Sequence, residues 1–129
     1  MKCLIVDDEI FCREFVATLL RSTAECHQAG SGAEALEKFN QALVAKLPFD
    51  LVILDIMMPG MNGQEVAKRM REIEASQGAK MGHIVMLTAL NSANDAMEAF
   101  CQAQSAAYLV KPVSKDGLFN MIGKLGLSG

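Results

Sequence analysis

Five polar side chains that could take part in chemistry stand directly after short apolar runs of the sequence. They are Asp7 and Asp8 after CLIV, Asp55 after LVIL, Thr88 after IVML and Lys111 after YLV. An isolated ionised carboxylate is costly to bury, so each acid must either reach water or meet a compensating cation. Brought together, these groups would offer oxygen ligands for a metal, an ammonium, a hydroxyl and a carboxylate nucleophile, which are the components of a phosphoryl-transfer site.

The apolar runs are typical of buried strands. Residues 3–6, 51–54, 84–87 and 108–110 lack polar alternation, which favours strands that are covered on both faces of a parallel sheet. A weaker run at 24–29 carries Glu25, His27 and Gln28, so we interpret it as an edge strand. The candidate site residues therefore lie at the carboxyl ends of predicted strands.

Segments between these runs have the apolar period of an α-helix. The five stripes are Phe11, Phe15 and Leu19 with Val16 and Leu20 beside them; Leu36, Phe39 and Leu43; Val66, Met70 and Ile73; Ala93, Met97 and Phe100; and Leu118, Met121, Ile122 and Leu125. We interpret all five as core-facing. Ser31, with Glu34 three residues later, predicts the N-terminal cap and capping box of the second helix.

Strand and helix thus alternate five times, which predicts an α/β fold, a doubly wound (βα)5 sandwich with right-handed crossovers. In open sheets of this kind, ligands bind beyond the carboxyl ends of the strands, where the strand order reverses. If the order is 2-1-3-4-5, the reversal lies between strands one and three. Asp7, Asp8 and Asp55 then face one crevice.

Three carboxylates in one crevice repel one another. Each pair about 4 Å apart costs about 1 kcal/mol in water and about 4 kcal/mol at an effective dielectric constant of 20. A hard divalent cation with oxygen ligands, typically Mg²⁺, relieves this repulsion. Each residue alone also fits a simpler role, such as a helix cap for Asp8 or Thr88, but the joint placement favours a site.

Composition excludes several other classes of protein. The 129 residues are 51% hydrophobic and 21% charged, which is ordinary for one globular domain, and the net charge of −3 has the wrong sign for a nucleic-acid binder. We interpret the basic cluster at residues 68–71 as a solvated helix face. No apolar run is long enough to insert into a membrane, and the N-terminus is not a signal peptide, so we expect a cytoplasmic location with the four cysteines reduced.

Four motifs carry a resemblance to a known family. LIVDDE at 4–9, DLVILDIMMPGMNG at 50–63, VMLTA at 85–89 and YLVKP at 108–112 resemble, in order and spacing, the receiver domain of two-component response regulators of the chemotaxis-regulator type. The resemblance covers essentially the whole chain. It implies a flavodoxin-like five-stranded parallel sheet of order 2-1-3-4-5, for which this family is a standard example.

The resemblance implies a role for each acid. Asp55 is expected to be the phosphoacceptor, which attacks a phosphohistidine on a sensor histidine kinase or phosphotransfer domain. Asp8, Asp55 and the backbone carbonyl of Met57 are expected to hold Mg²⁺, with Mn²⁺ as an alternative ion. Asp7 would act on the metal directly or through water.

The remaining motif residues are implied to sense the phosphoryl group. Lys111, joined to Pro112 by a cis peptide bond, would pair with one phosphoryl oxygen. Thr88 would hydrogen-bond another, and Ala89 would leave space beside the acceptor. Coupling of Thr88 to Tyr108 would then switch the surface of helix four, strand five and helix five, which binds a downstream protein.

One departure from the family concerns the turn before the last strand. Gln104 stands near a position where family members usually place glycine, and we expect a left-handed backbone there. This departure concerns the local shape of the output face, the surface that binds the downstream protein. It does not concern the acidic site.

Several alternatives stay open. We expect residues 1–129 to form a single receiver domain without an output domain, a phosphoacceptor rather than an enzyme; a fragment of a larger regulator is the main alternative. A Mg²⁺-dependent phosphohydrolase with an aspartyl-phosphate intermediate is disfavoured because Met57 stands where such enzymes need a second acid. An interaction module without the chemistry is disfavoured because all the acids and Lys111 are present.

Overall fold

The computed structural model describes residues 1–127, which fold into five strands and five α-helices that alternate along the chain. The strands are β1 (Lys2–Val6), β2 (Glu25–Ala29), β3 (Leu51–Asp55), β4 (His83–Thr88) and β5 (Ala107–Val110). The helices are α1 (Ile10–Leu20), α2 (Gly32–Val44), α3 (Gly63–Ser76), α4 (Asp95–Ala103) and α5 (Lys115–Lys124), and a short 3-10 helix, Leu90–Ser92, precedes α4. All the predicted strands and helices are present.

The sheet is parallel throughout and has the order β2-β1-β3-β4-β5, which confirms the predicted fold. β3 lies in the centre and is buried along its whole length, whereas β2 forms an edge. Alternate strand residues pack into two cores. One contains buried side chains of α2, α3 and α4, and the other contains those of α1 and α5, so helices cover both faces.

The predicted core face of α1 is confirmed for Val16 and Leu20 and wrong for Phe11 and Phe15. Phe11 is 85% exposed and Phe15 51% exposed, whereas Val16 and Leu20 are buried against the sheet. The two stripes are one residue apart along the helix and share the same spacing of four residues, so the helical period alone cannot distinguish them. Two phenylalanine side chains are therefore left on the surface of α1.

The backbone of the α4–β5 turn also differs from the prediction. Gln104 caps α4 with φ −96°, and the left-handed residue is Ser105, with φ 53°. The left-handed position usually follows the cap residue by one, which explains the shift of one place.

The N-terminal cap predicted for α2 is present. The Glu34 backbone N–H donates to Ser31 Oγ over 3.2 Å. The Glu34 carboxylate, however, accepts from the Gly30 N–H over 2.7 Å instead of completing a capping box with Ser31.

The described residues show free cysteines and no membrane-spanning helix. The four cysteines are free, with Cys3 and Cys101 buried and Cys12 and Cys26 half-buried. Within residues 1–127, no helix combines the length and apolar character needed to cross a membrane.

Gly63 fixes the backbone of the strand that carries Asp55. Its N–H donates to the Ile56 carbonyl over 2.9 Å, and a β-carbon at Gly63 would lie 2.8 Å from the Ile56 α-carbon and against the Asp55 carbonyl. We expect Gly63→Ala to lower the free energy of unfolding by at least about 1–3 kcal/mol, because backbone atoms must move. Urea unfolding tests this.

Gly123→Ala on α5 is the matched control. A β-carbon there meets no atom within 4 Å, so the change should be neutral or stabilising by up to about 1 kcal/mol. Equal effects of the two substitutions would contradict the role of Gly63.

Candidate functional site

The candidate site lies at the carboxyl edge of the sheet. β1 and β3 are neighbours, with Val6 paired to Leu54, so the residues that follow β1 and end β3 meet across the switch in strand order. Asp7 and Asp55 are buried, while Asp8 is exposed to solvent. The fold therefore brings the three predicted acids together at this edge.

The three carboxylates form a compact set of oxygen ligands. One carboxylate oxygen from each of Asp7, Asp8 and Asp55 lies within 4.8 Å of the others. Hard oxygen ligands with one side open to water are the set that Mg²⁺ prefers, because this ion keeps several of its own waters. The donor chemistry and spacing therefore fit a magnesium ion.

Lys111 supplies a cation to two of these acids. Its Nζ lies 3.0 Å from Asp55 Oδ1 and 3.3 Å from Asp7 Oδ2. Lys111 follows β5, at the same edge of the sheet, and the Lys111–Pro112 peptide bond is cis, the conformation that the resemblance implies. The ammonium is only partly buried, with 31% of the side chain exposed, so it can reach a group that arrives from solvent.

Burial and the neighbouring charges shift the pKa of Asp55 and Lys111. Burial raises the pKa of Asp55, and the charge of Asp7 adds to this, while Lys111 and the Met57 N–H offset only part of it. For Lys111, burial opposes the charged form, but the hydrogen bond and charge of Asp55, together with Asp7, outweigh it and raise the pKa. The ionised Asp55 therefore depends on positive charge nearby.

A residue that the sequence reasoning missed also fixes the site. Arg13 on α1 donates from Nη1 to the Asp7 backbone carbonyl over 2.7 Å, and its Nε donates to Gln28 Oε1 over 3.1 Å. The Asp7 carboxylate in turn accepts from the Glu9 N–H over 2.9 Å. The sequence did contain a signal for this contact. Arg13 is a basic residue in the helix that follows Asp7, and a side chain in that position can turn back to the end of the strand.

Within residues 1–127, the side chains of Thr88 and Tyr108 form no hydrogen bond with the three acids. Thr88 is buried at the end of β4, and its hydroxyl donates to the Ala89 carbonyl over 3.3 Å. Tyr108 is half-buried in β5, pairs with Met86 in the strand register and packs against the larger core. Met57 is 73% exposed.

An apolar groove of about 540 Å³ adjoins the acids. It is lined by Phe11 and Phe15 from α1, by Leu90, and by Pro112 and Val113 after β5, with Asp7 and Lys111 at its polar side. The exposed phenylalanines of α1 thus stand beside the candidate site.

Comparison with known proteins identifies the family. The model of the response regulator receiver domain matches residues 3–123. The chain belongs to this family. Receiver domains are the signalling domains of two-component response regulators; the family binds Mg²⁺ at an acidic pocket and interacts with histidine kinases and phosphotransfer partners.

Curated relatives are longer than this receiver domain. It is 38% identical over 128 residues to the positive alginate biosynthesis regulatory protein of Pseudomonas aeruginosa. The aligned region covers 96% of this chain and 46% of that protein. It is 36% identical over 114 residues to the transcriptional regulatory protein ResD of Bacillus subtilis, which covers 88% of the chain and 42% of ResD. The receiver domain thus spans less than half the length of these relatives.

Solved structures match over nearly the whole receiver domain. The chemotaxis protein CheY4 of Vibrio cholerae has a TM-score of 0.77 at 31% identity, with 95% of this chain and 96% of that chain covered. The receiver domain of the histidine kinase CKI1 from Arabidopsis thaliana, in complex with Mg²⁺ and BeF3⁻, has a TM-score of 0.83 at 25% identity, with 97% and 89% covered.

Proposed function

We propose that this receiver domain accepts a phosphoryl group on Asp55 from a histidine kinase or phosphotransfer domain, with Mg²⁺ bound. The observation that carries the proposal is the placement of Asp55. It is a buried carboxylate at the end of the central strand, it is ion-paired with Lys111 over 3.0 Å, and it is grouped with two further acids. A costly buried charge whose pKa is perturbed, in an open cleft, favours a reactive role.

The transfer exchanges one bond to phosphorus for another. An Asp55 carboxylate oxygen forms a bond to phosphorus while the bond from phosphorus to the donor imidazole nitrogen breaks, and that nitrogen keeps the electron pair. Lys111 Nζ, already 3.0 Å from the Asp55 carboxylate, pairs with an oxygen of the transferred group. Hydrolysis then removes the group: a water oxygen forms a bond to phosphorus while the bond from phosphorus to the Asp55 oxygen breaks, which yields inorganic phosphate and the free carboxylate. The domain thus assists both its phosphorylation and its dephosphorylation.

Asp7, Asp8 and Asp55 would hold the metal ion together with the Met57 carbonyl. Bound Mg²⁺ supplies positive charge that neutralises the oxygens of the transferring group. Mn²⁺, which takes the same oxygen ligands, is expected to substitute for it. Arg13 holds the Asp7 backbone and thereby keeps the adjacent acids in place.

Magnesium is expected to stabilise the wild-type domain, and Asp8→Asn to remove most of this effect. A ligand at 100 times its dissociation constant raises the free energy of unfolding by about 2.7 kcal/mol. Asp8 is exposed, so its replacement should cost little without metal. Thermal unfolding with Mg²⁺ and with a chelator measures both effects. Glu9→Gln, an exposed neighbour outside the three-acid group, should behave as wild type; equal loss in both variants would contradict the ligand assignment.

The signal would pass through Thr88 and Tyr108. Among residues 1–127, the Thr88 hydroxyl is hydrogen-bonded only to its neighbour's carbonyl, so it can turn toward a phosphoryl oxygen. Movement of Thr88 frees space for the half-buried Tyr108 ring, which lies on the adjacent strand. The surface of α4, β5 and α5 would then change for a downstream protein.

The assignment of residues 1–129 to a single receiver domain and the cytoplasmic location stay predictions.

The apolar groove beside the acids fits the phosphodonor protein. Exposed apolar patches of this kind mark contact sites for other proteins. We expect Phe11→Ser to slow phosphoryl transfer from a phosphorylated histidine phosphotransfer domain about tenfold or more, since one buried aromatic contact can contribute 2 kcal/mol. The rate with acetyl phosphate, which needs no such contact, should not change. Equal slowing with both donors would contradict the role of the groove.

Incubation of the purified chain with Mg²⁺ and acetyl phosphate tests the function. The expected result is a mass increase of one labile phosphoryl group, which maps to Asp55. The adduct should not form when a chelator is present during the incubation. An unchanged mass would refute the proposal and favour an interaction module. Continued turnover of a small phosphate ester would instead favour the phosphohydrolase.

A further inference from the structure

A buried ion pair, separate from that of Lys111, lies on α3, at the edge of the sheet opposite the acidic site. The side chain of Arg71 is 10% exposed and that of Glu74 is 3% exposed, and they meet over 2.8 Å. The interpretation of residues 68–71 as a solvated helix face is therefore wrong for Arg71. The sequence signal failed because the partners of Arg71 are distant in the chain.

Arg71 uses its planar fork of donors on three separate segments. Nε donates to the Gln104 carbonyl over 2.8 Å, and Nη2 donates to the Ser105 carbonyl over 3.0 Å. Nη1 donates both to Glu74 Oε1 and to the Gly82 carbonyl, each over 2.8 Å. Glu74 Oε2 accepts from the Gly82 N–H over 2.7 Å. The pair thus joins α3 to the residue before β4 and to the α4–β5 turn.

The α4–β5 turn needs such a partner. The last carbonyls of a helix lack hydrogen bonds within the helix, and a non-glycine residue in the left-handed region, here Ser105 with φ 53°, is held only when its surroundings fix it. A guanidinium with five donors in a fixed fork can satisfy two neighbouring carbonyls at once, which a lysine ammonium cannot do with the same geometry.

The two ends of α4 are held differently. At its C-terminal end, Cys101 is buried and its carbonyl accepts from the Ala106 N–H over 2.8 Å, in addition to the contacts of Arg71. At its N-terminal end, Asn94 caps the helix and Met97 is buried, but the preceding 3-10 helix Leu90–Ser92 has no buried residue and Leu90 is 76% exposed. The segment that leads into α4 is therefore less restrained than the turn that leads from α4 to the strand of Tyr108.

We propose that Arg71, supported by Glu74, is a positioning residue that fixes the α4–β5 turn to α3, so that the phosphorylation-linked change in α4 takes place at its N-terminal end. The inference rests on the proposed function, because it names the part of the output face that moves. It adds a determinant of that movement on the opposite edge of the sheet from Asp55.

Hydrogen exchange of a charge-free double variant tests the proposal. Removal of Arg71 alone would leave Glu74 buried and uncompensated, so Arg71→Met is combined with Glu74→Leu to keep the fold. Without metal, we expect the amides of residues 104–108 to exchange at least about tenfold faster than in wild type. The rate at which acetyl phosphate phosphorylates Asp55 should stay within about twofold of the wild-type rate, because Arg71 and Glu74 do not contact the acids of the site.

The same measurement on the phosphorylated proteins tests the direction of movement. Within the segment from residue 90 to residue 108, the change in exchange in wild type should be confined to residues 90–100, and in the double variant it should extend through residues 104–108. Arg71→Lys should resemble the double variant in the turn, because it keeps the charge but not the fork. The matched control is Arg69→Met with Glu65→Leu, an exposed pair over 3.1 Å on the same helix, which should leave exchange of the turn unchanged.

Three results would overturn the proposal. They are unchanged exchange at residues 104–108 in the double variant, wild-type behaviour of Arg71→Lys, or a wild-type response to phosphorylation that is largest in the turn. If the wild-type chain forms no phosphate adduct, the proposed function fails, and exchange without metal still decides whether Arg71 holds the turn.

Discussion

Asp55→Asn is expected to abolish the phosphate adduct that the wild-type receiver domain forms with Mg²⁺ and acetyl phosphate. The amide of asparagine is a poor nucleophile, and it also removes one of the three carboxylates that group within 4.8 Å. Both the acceptor atom and part of the metal site are therefore lost with one substitution. Intact mass after incubation, followed over time, should show no increase above that of the untreated variant.

Asp50→Asn is the matched control for this experiment. Asp50 precedes the same strand at its opposite end, where its carboxylate accepts from the Lys2 N–H over 2.8 Å, and an asparagine oxygen can keep that bond. The control should be phosphorylated like wild type. An adduct of wild-type occupancy on Asp55→Asn would show that a different residue is the acceptor.

The same Asp55→Asn variant is expected to change the pH dependence of stability. Burial raises the pKa of Asp55 in the folded state, so the folded protein binds a proton that the unfolded chain has already released. The contribution of Asp55 to stability is thus complete below its unfolded pKa of about 4 and is lost as the pH rises through the raised folded pKa. Without metal, the variant should gain stability relative to wild type across this window.

Urea unfolding of both proteins with a chelator, in steps from about pH 4 toward neutral pH, measures this difference. The difference should level off once Asp55 is fully ionised in the folded state. Addition of Mg²⁺ should favour wild type alone, because the ion stabilises the carboxylate. A difference that stays constant over the whole range would contradict the burial of an ionising Asp55.

The acidic site was predictable because its position follows from the strands. Each acid ends or follows an uninterrupted apolar run, and parallel strands place their carboxyl ends at one edge, so Asp7, Asp8 and Asp55 had to approach one another. The strand order itself came from the family resemblance, because periodicity alone does not choose between orders. Lys111 was placed by the same strand rule.

The features that were not predictable depend on tertiary partners. Phe11 and Val16 belong to two apolar stripes with the same period, and only the rotation of α1 against the sheet decides which one is buried. Arg71 lies in a charged segment, and its burial depends on carbonyls more than 30 positions along the chain. A single sequence carries no local signal for such contacts, since a charged residue is exposed by default.

Lys111→Met is expected to have two opposite effects, a slower phosphorylation and a tighter binding of Mg²⁺. The ammonium lies 3.0 Å from Asp55 and 3.3 Å from Asp7, so it competes with a metal ion for the same carboxylates. Loss of one positive charge a few ångströms from the ion should strengthen Mg²⁺ binding about tenfold. Loss of the partner for a phosphoryl oxygen should slow transfer about 100-fold, as for other groups that stabilise charge in a transition state.

Isothermal titration with Mg²⁺ and the rate of adduct formation with acetyl phosphate separate these two effects. Lys111→Arg, which keeps the charge, should leave Mg²⁺ affinity near that of wild type, and Lys115→Met, at an exposed lysine in the first turn of α5, should change neither quantity. A fall in both affinity and rate for Lys111→Met would mean that Lys111 organises the carboxylates instead of competing with the ion. Tighter metal binding with slower transfer would establish two roles for the Lys111 ammonium. It neutralises the carboxylates when no metal is bound, and it pairs with the phosphoryl group when Mg²⁺ is bound.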